Sequence, residues 1–230
     1  MVRSFGRRQV MISDKGMKER SSSVFLVFAT FIILTVFVAK QITRPFDLMV
    51  TQWIQQWASE PLDIVLYFFT ILGSIEFSCF ALLVICWYFY RKYQWPGVFL
   101  YLFFFMLLSG VEFLWKYIVA YTGPGPEFDR NPFHWALIAV RAPYAFPSGH
   151  TFRSIFLLGI WYQRLHSKFL PQKERIRLHK LVILFLAFGI VYRRIYLGDH
   201  WMSDVFGRCL LAVLGLLLAS QSPQYELRPA

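Results

Sequence analysis

Six long apolar segments constrain the fold of this chain more than any other feature. They lie at residues 24–39, 75–90, 97–117, 150–162, 181–196 and 205–220. Each reaches or approaches the length of helix that crosses about 30 Å of hydrocarbon. Only 16% of the 230 residues are charged and 57% are hydrophobic, whereas soluble domains average about 25% charged residues. We therefore predict an all-α, polytopic membrane bundle of six transmembrane helices at residues 24–220, between tails at 1–23 and 221–230.

The connections between these segments predict further elements at the membrane surface. Residues 46–57 place apolar side chains at helical spacing and polar ones on the other faces, which predicts an amphipathic helix in the outer interface. Residues 62–72 are too few to cross the membrane, and we expect a short buried helix there. Residues 122–147 are rich in proline and glycine, which predicts an ordered or lid-like outer loop.

The net charge of +11 is distributed unevenly between the two predicted faces. Fifteen of the 24 lysines and arginines fall in the two tails and in the loops after the second and fourth segments, whereas seven fall on the other face. Because lysine and arginine collect on the cytoplasmic side, both termini are predicted to be cytoplasmic. We interpret the basic loops as a topology signal that attracts anionic lipid, not as a nucleic acid-binding surface. A short chain with a basic tail and no targeting extension fits a bacterial inner membrane.

Polar and ionisable residues near the ends of spans gather at the predicted outer face. They are Lys116 at the end of the third span, Ser148 and His150 at the start of the fourth, and Arg193, Arg194, His200 and Asp204 between the fifth and sixth. Such residues are costly in a membrane and indicate function by default. Because three sequence-distant clusters meet on one side of a helical bundle, we predict that they form a single site.

The residue types in this predicted site suit the handling of a phosphate ester without a metal. Cations hold the nonbridging oxygens, one histidine attacks phosphorus, and the other protonates the leaving oxygen. Gly149, within Pro147-Ser148-Gly149-His150, lets backbone N–H groups approach an anion at the start of a helix. Asp204 follows His200 by four residues, so it shares a helical face with His200 and can orient its imidazole. The chain has no acidic cluster for magnesium and no Cys/His ligand spacing, so no metal or cofactor is expected.

The order and spacing of these residues resemble the motifs of the type 2 phosphatidic acid phosphatases, the integral-membrane lipid phosphate phosphatases. Their second motif, proline-serine-glycine-histidine, stands intact at 147–150. Their third, arginine, five residues, histidine, three residues, aspartate, matches Arg194, His200 and Asp204. The first motif departs from the family, because Lys116 is followed after six residues by Gly123-Pro124 instead of arginine-proline. The resemblance covers roughly residues 62–220.

The resemblance implies a role for each matching residue. His200 is the expected nucleophile that forms a phosphohistidine, Asp204 its orienting partner and His150 the general acid. The expected phosphate ligands are Lys116, Ser148, Gly149 through its N–H, and Arg194. Arg153, one turn after His150, and Arg193 are candidates to replace the missing first-motif arginine. We favour Arg153 because a cation inside a span needs an anionic or polar partner.

These features together predict a metal-independent phosphatase that removes a terminal phosphate from a membrane lipid at the extracytoplasmic face. Polyprenyl diphosphate, phosphatidylglycerol phosphate, phosphatidic acid and a lipid A phosphate are all compatible substrates. Two alternatives stay open. One is a phosphotransferase that uses the same residues, and the other is a catalytically weak lipid-binding or transport protein, which the missing arginine favours. Against transport, the ionisable residues gather at one face, whereas a transporter usually places them near the midplane.

Overall fold

A computed structural model describes residues 14–93, 97–133, 144, 146, 149–165 and 173–220 of the chain. In these ranges the regular structure is helical throughout, so the predicted all-α class is confirmed there. The α-helices of the described ranges are α1 (Asp14–Ala39), α2 (Arg44–Gln55), α3 (Glu60–Phe68), α4 (Ile75–Tyr93), α5 (Val98–Val119), α6 (Gly149–Leu165), α7 (Lys173–Tyr196) and α8 (Met202–Ala219). Two short 3-10 helices, Ile71–Gly73 and Pro126–Phe128, lie between them.

Three helices in the described part of the chain are long and apolar enough to cross a membrane by themselves. They are Glu19–Ala39 in α1, Val98–Val119 in α5 and Met202–Ala219 in α8. A fourth candidate combines Glu60–Gly73 with Ile75–Arg91 across a bend of 52°. The predicted segments 150–162 and 181–196 form helices too, but α6 has only 17 residues and α7 has basic residues in its first and last turns. The apolar helices support an integral membrane protein.

The helix α8 lies at the centre of the bundle and packs against α1, α5, α6 and α7. Gly215 allows this close packing, because a Cβ atom there would lie 2.6 Å from Leu108 and 2.9 Å from Phe156. The buried rings of Phe105, Phe152 and Phe156 pack around the same place with centroids 5.7–5.9 Å apart. Small residues at helix contacts are typical of membrane bundles, where close van der Waals packing holds helices together. The helix that follows His200 is therefore firmly held.

The helix α2 buries two polar side chains against the bundle and leaves several large apolar side chains exposed. Asp47 and Thr51 are fully buried, whereas Phe46, Met49 and Trp53 are 53–64% exposed. An outward apolar face suits contact with lipid, and an inward polar face needs hydrogen-bond partners inside the protein. A helix therefore covers most of the predicted residues 46–57, and two of its polar side chains face the interior of the bundle.

The short helix predicted at 62–72 corresponds to α3, which is buried on one side only. Val65 and Phe68 are 57% and 61% exposed. Leu66 packs against the bundle in a buried cluster with Ile195 and Leu197, and α3 then leads through the bend at Gly73 into α4. An exposed apolar face on a bent helix pair fits contact with lipid. Composition alone does not distinguish an apolar face that contacts lipid from one that is buried in protein.

The bend between α3 and α4 is held by α6. Ser154 Oγ donates to the Leu72 carbonyl oxygen at 3.0 Å. Arg153 donates from Nε and Nη2 to the Gly73 carbonyl oxygen at 3.1 and 3.0 Å. A broken helix in a membrane is tolerated where neighbouring side chains satisfy the backbone groups that the break releases. These contacts give Arg153 a structural partner at the break.

Candidate active site

The α7–α8 turn, residues 197–201, carries His200. Gly198 in this turn has φ +74°, and a side chain there would collide with the Phe128 carbonyl oxygen. Both the backbone conformation and the lack of space therefore require glycine. The His200 N–H donates to the Arg194 carbonyl oxygen at 3.0 Å, which closes the turn. His200 is thus fixed directly between the end of α7 and the start of α8.

The structure brings His200 and Asp204 together, as their spacing predicts. Nδ1 of His200 lies 3.4 Å from Oδ2 of Asp204. The same oxygen accepts the Trp201 N–H at 3.0 Å, one of the backbone donors that a helix start leaves without an intrahelical partner. Asp204 is fully buried and His200 is 8% exposed. This arrangement holds the imidazole with Nδ1 towards the carboxylate and Nε2 on the opposite side of the ring.

Asp199 holds the two arginines at the end of α7. Its Oδ2 lies 2.6 Å from Nη1 of Arg194 and 2.8 Å from Nη2 of Arg193, and its Oδ1 accepts from Asn131 Nδ2 at 2.8 Å. Burial alone would raise the pKa of this carboxyl, but the positive charges of Arg194 and Arg193 lower it below its ordinary value. Asp199 therefore stays ionised and orients Arg194 beside the histidine.

The loop after α5 supports the α7–α8 turn from outside. The Arg130 N–H donates to the Leu197 carbonyl oxygen at 3.0 Å. The Arg130 guanidinium forms two bonds to the Asp63 carboxylate, 3.2 Å from Nε to Oδ1 and 2.8 Å from Nη2 to Oδ2. These bonds and the ion pair raise the pKa of Arg130. The loop is thereby tied to α3 on one side and to the turn on the other.

Lys116 belongs to a buried charge cluster that reaches α8. Its Nζ lies 3.7 Å from Oε1 of Glu112, and the same oxygen lies 2.6 Å from Nη2 of Arg208. Arg208 is fully buried, and its ion pair is with Glu112 and not with Asp204, although Asp204 precedes it by one turn. Lys116 and Arg208 both lie within electrostatic range of Asp204. Lys116 thus reaches the neighbourhood of the His200–Asp204 pair.

The two arginines considered for the missing first-motif charge both have protein partners. Arg153 donates to Gly73 at the bend between α3 and α4. Arg193 is 1% exposed and contacts Asp199 and the Thr70 hydroxyl. These contacts account for the burial of both cations without a phosphate.

Arg44, at the start of α2, adds a further cation near the altered motif. Its guanidinium carbon lies 4.4 Å from the ring centroid of Trp201, within cation–π range. Nη1 of Arg44 also donates to the Thr122 carbonyl oxygen at 3.4 Å, directly before Gly123. A positive charge from another helix therefore lies beside the position where the family pattern has arginine.

Ser148 and the side chain of His150 lie outside the described residues. The helix α6 begins at Gly149, as the motif predicts. Phe146 is fully buried, and a Cβ atom on Gly207 of α8 would lie 2.7 Å from its ring. Because Gly207 follows Asp204 by three residues, this contact places the approach to α6 beside the first turns of α8.

Two polar residues of this region were not singled out from the sequence. Asp199 lies inside the third motif, five residues after Arg194. A carboxyl side chain at this position was the sequence signal that could have identified it. Asp47 is fully buried on α2 and contacts α8, and no local pattern reveals that contact. Among the described residues, no group of three or more His, Cys, Asp or Glu side chains could hold a metal ion.

Comparison with known proteins identifies the family. The model of the PAP2 superfamily matches residues 97–228, more than half of the chain. The fold is similar to the crystal structure of a transmembrane PAP2 type phosphatidylglycerolphosphate phosphatase from Bacillus subtilis, with TM-score 0.71 and 18% identity over 86% of this chain and 94% of that one. It is also similar to LpxE from Aquifex aeolicus, with TM-score 0.53 and 21% identity over 76% of this chain and 94% of that one. No curated protein matches the sequence. The chain belongs to the PAP2 superfamily.

Proposed function

We propose that this protein is a membrane lipid phosphatase that hydrolyses a terminal phosphate from a lipid phosphate or diphosphate through a phosphohistidine. One observation carries the proposal. His200 Nδ1 lies 3.4 Å from the buried Asp204 carboxylate, and Asp199 in the same turn as His200 holds Arg194 at 2.6 Å. A histidine oriented by a carboxylate beside fixed cations suits nucleophilic attack on phosphorus. Membership of the PAP2 superfamily suggests the same activity.

In the first step, Nε2 of His200 forms a bond to phosphorus while the bond from phosphorus to the lipid oxygen breaks. The Asp204 carboxylate favours the tautomer with the proton on Nδ1, which leaves the lone pair on Nε2. It also stabilises the positive imidazole that forms. His150 donates a proton to the leaving lipid oxygen. In the second step His150 takes a proton from water, the water oxygen bonds to phosphorus, and the bond to Nε2 breaks to release inorganic phosphate.

The cations of the site bind the phosphoryl group through both steps. Arg194 is oriented by Asp199 at 2.6 Å, and Lys116 is oriented by Glu112 at 3.7 Å. Ser148 and the N–H of Gly149, at the start of α6, complete the proposed phosphate site. Preoriented charges of this kind stabilise the transition state because they need no rearrangement as charge develops on the oxygens.

The proposed topology has all six predicted segments crossing the membrane, with α2 in the outer interface and both termini cytoplasmic. The α7–α8 turn follows the end of α7 opposite to the basic residues that open this helix, Lys173, Arg175 and Arg177. Because lysine and arginine collect on the cytoplasmic side, the site is proposed to be extracytoplasmic. A bacterial inner membrane is the proposed location, with residues 122–147 as the outer loop.

The proposed substrate is a phosphorylated lipid, since a site at the bilayer edge admits a head group while the tails stay in the membrane. Phosphatidylglycerol phosphate, phosphatidic acid, polyprenyl diphosphate and a lipid A phosphate all have the required terminal phosphate. Glu112 and Arg208 form a buried ion pair. This pairing gives the transport alternative no support, because a polar path would need such groups along an open cavity.

The experiment is phosphate release by the purified protein in detergent, without added divalent metal, from each of these four lipids. We expect release from at least one lipid, no loss on addition of a chelator, inhibition by vanadate, and no release by His200→Ala. Release that depends on an added acceptor alcohol would indicate a phosphotransferase. Absence of release from every lipid, or equal release by His200→Ala, would overturn the proposal.

A further inference from the structure

The helix α2 contacts both ends of the α7–α8 turn through two buried or half-buried polar side chains. Asp47 Oδ1 accepts the Ser203 N–H at 2.9 Å, and Asp47 Oδ2 accepts the Ser203 hydroxyl at 2.7 Å. Gln55 Nε2 donates to the Tyr196 carbonyl oxygen at 2.9 Å and to the Phe128 carbonyl oxygen at 2.8 Å. One helix therefore binds the last residue of α7 and the first turn of α8.

These contacts bracket His200. Asp47 and Gln55 are eight residues apart, which is about 12 Å along an α-helix. Between their partners the chain runs from Tyr196 through the turn to Ser203. Ile54 packs on the same segment, in a buried cluster with Ile195, Leu197 and Val205. The turn is thus held at both ends by a single helix.

The Asp47 contact has the chemistry of a helix cap supplied by another helix. The Ser203 N–H is one of the donors at the start of α8 that lack an intrahelical acceptor, and a carboxylate at a helix N-terminus is favourable. The Tyr121 hydroxyl also donates to Asp47 Oδ2, at 3.2 Å. Burial and the Asp47 charge raise the pKa of Tyr121 to about 12, so Tyr121 keeps its proton and stays a donor. Three donors therefore fix the Asp47 carboxylate.

We propose that α2 is a brace that positions the α7–α8 turn for phosphoryl transfer, with Asp47 and Gln55 as its positioning residues. The inference rests on the proposed function, because it assigns α2 the task of holding His200 against the bound phosphate. α2 lies outside residues 97–228, which the family model matches. Neither residue touches the reacting atoms, so their substitution affects the rate of attack by His200 and leaves phosphate binding by Arg194 and Lys116 in place.

The test compares kcat and KM of full-length variants on the lipid that the wild type hydrolyses best. Gln55→Ala and Asp47→Asn remove contacts of the brace, and Gln52→Ala is the matched control because Gln52 is exposed on the same helix. We expect each brace variant to lower kcat at least tenfold and to change KM less than twofold. The rate of phosphohistidine formation, measured by rapid quench with labelled substrate, should fall by the same factor. Gln52→Ala should match the wild type.

Ser203→Ala keeps the test decisive even where Asp47→Asn does not fold. It removes the Ser203 hydroxyl bond to Asp47 and keeps the backbone one, so kcat should fall severalfold. If both variants fold, the double variant should be no slower than Asp47→Asn alone, because both changes act on one contact.

Two results would overturn the brace. One is kcat within twofold of wild type in Gln55→Ala and Ser203→Ala. The other is a fall in kcat that matches the loss of folded protein, measured by size-exclusion chromatography and thermal midpoint. A wild type that hydrolyses none of the four lipids would instead overturn the proposed function.

Discussion

Two substitutions of Asp204 distinguish its two effects on His200, which are the orientation of the imidazole and the negative charge beside it. One oxygen, Oδ2, faces both the Trp201 N–H at 3.0 Å and His200 Nδ1 at 3.4 Å. In Asp204→Asn the amide oxygen can take this place, with the NH2 group where Oδ1 now lies. The histidine tautomer is then retained, but Nδ1 of His200 faces a neutral oxygen instead of a carboxylate.

The expected loss of rate follows from this difference. A hydrogen bond to a charged group contributes about 1.5–3 kcal/mol and a neutral one about 0.5–1.5 kcal/mol. The difference between the two kinds of bond is about 1.4 kcal/mol, which corresponds to about a tenfold decrease in kcat. Asp204→Ala removes the acceptor and the control of the tautomer, which costs on the order of 10⁴-fold in a hydrolytic triad. We therefore expect Asp204→Asn to be far more active than Asp204→Ala.

The assay is the initial rate of phosphate release at pH 7, with the thermal midpoint of each purified variant. Equal loss of kcat in two folded variants would refute the single-oxygen geometry. An alanine variant within threefold of wild type would refute the orienting role of Asp204.

Three further predictions test the charge clusters around the site. Glu112→Gln leaves the buried Arg208 without the carboxylate at 2.6 Å and should lower the free energy of unfolding by about 3–5 kcal/mol. Glu112→Met combined with Arg208→Leu should recover most of this loss, and an unchanged thermal midpoint in Glu112→Gln would contradict the pairing. The lowered pKa of Asp199 means that its stabilising effect is complete above the unfolded value of about 3.9 and is lost as the pH falls through the lower folded value. The difference in thermal midpoint between wild type and Asp199→Asn should therefore be full at pH 7 and shrink below about pH 4, and a constant difference would count against the ion pairs. Arg44→Gln should raise KM with little change in thermal midpoint, whereas Arg153→Gln should lower the thermal midpoint with little change in KM. The reverse pattern would assign the missing first-motif charge to Arg153.

The helical architecture and the central pair of the site could be predicted because both depend on local sequence. Each of the six apolar segments forms a helix in the described ranges, since apolar runs of this length satisfy their backbone groups only as helices in a membrane. His200 and Asp204 meet as their spacing of four residues predicts, although His200 lies in the turn directly before α8. The start of α6 at Gly149 follows from its motif in the same way.

The partners of isolated charges could not be predicted because they lie on other helices. Asp47 is 156 residues from Ser203, and no periodicity relates the two. Arg208 has the spacing for an ion pair with Asp204, but Glu112 on α5 takes it, since Asp204 already faces Trp201 and His200. Each case depends on the packing of helices and not on spacing within one.

The sequence also could not show which face of an amphipathic helix packs against the bundle. The spacing in α2 separates polar from apolar side chains, but it does not say which side meets the bundle. In the structure Asp47 and Gln55 lie on the side that meets the bundle, beside Ile54, and both find partners around the α7–α8 turn. The bend at Gly73 could not be predicted for a related reason. Its free carbonyl oxygen accepts from Arg153, which lies on a helix distant in sequence.

The central claim is that His200 attacks phosphorus, and rapid-quench trapping with a lipid labelled in its terminal phosphate tests it most directly. The quench is alkaline, because phosphohistidine survives base and not acid, and the labelled peptide is then identified by mass spectrometry. We predict label on His200 that forms and decays at rates consistent with kcat, and none in His200→Ala. Label on another residue, or phosphate release by the wild type with no labelled protein formed at a competent rate, would contradict the claim.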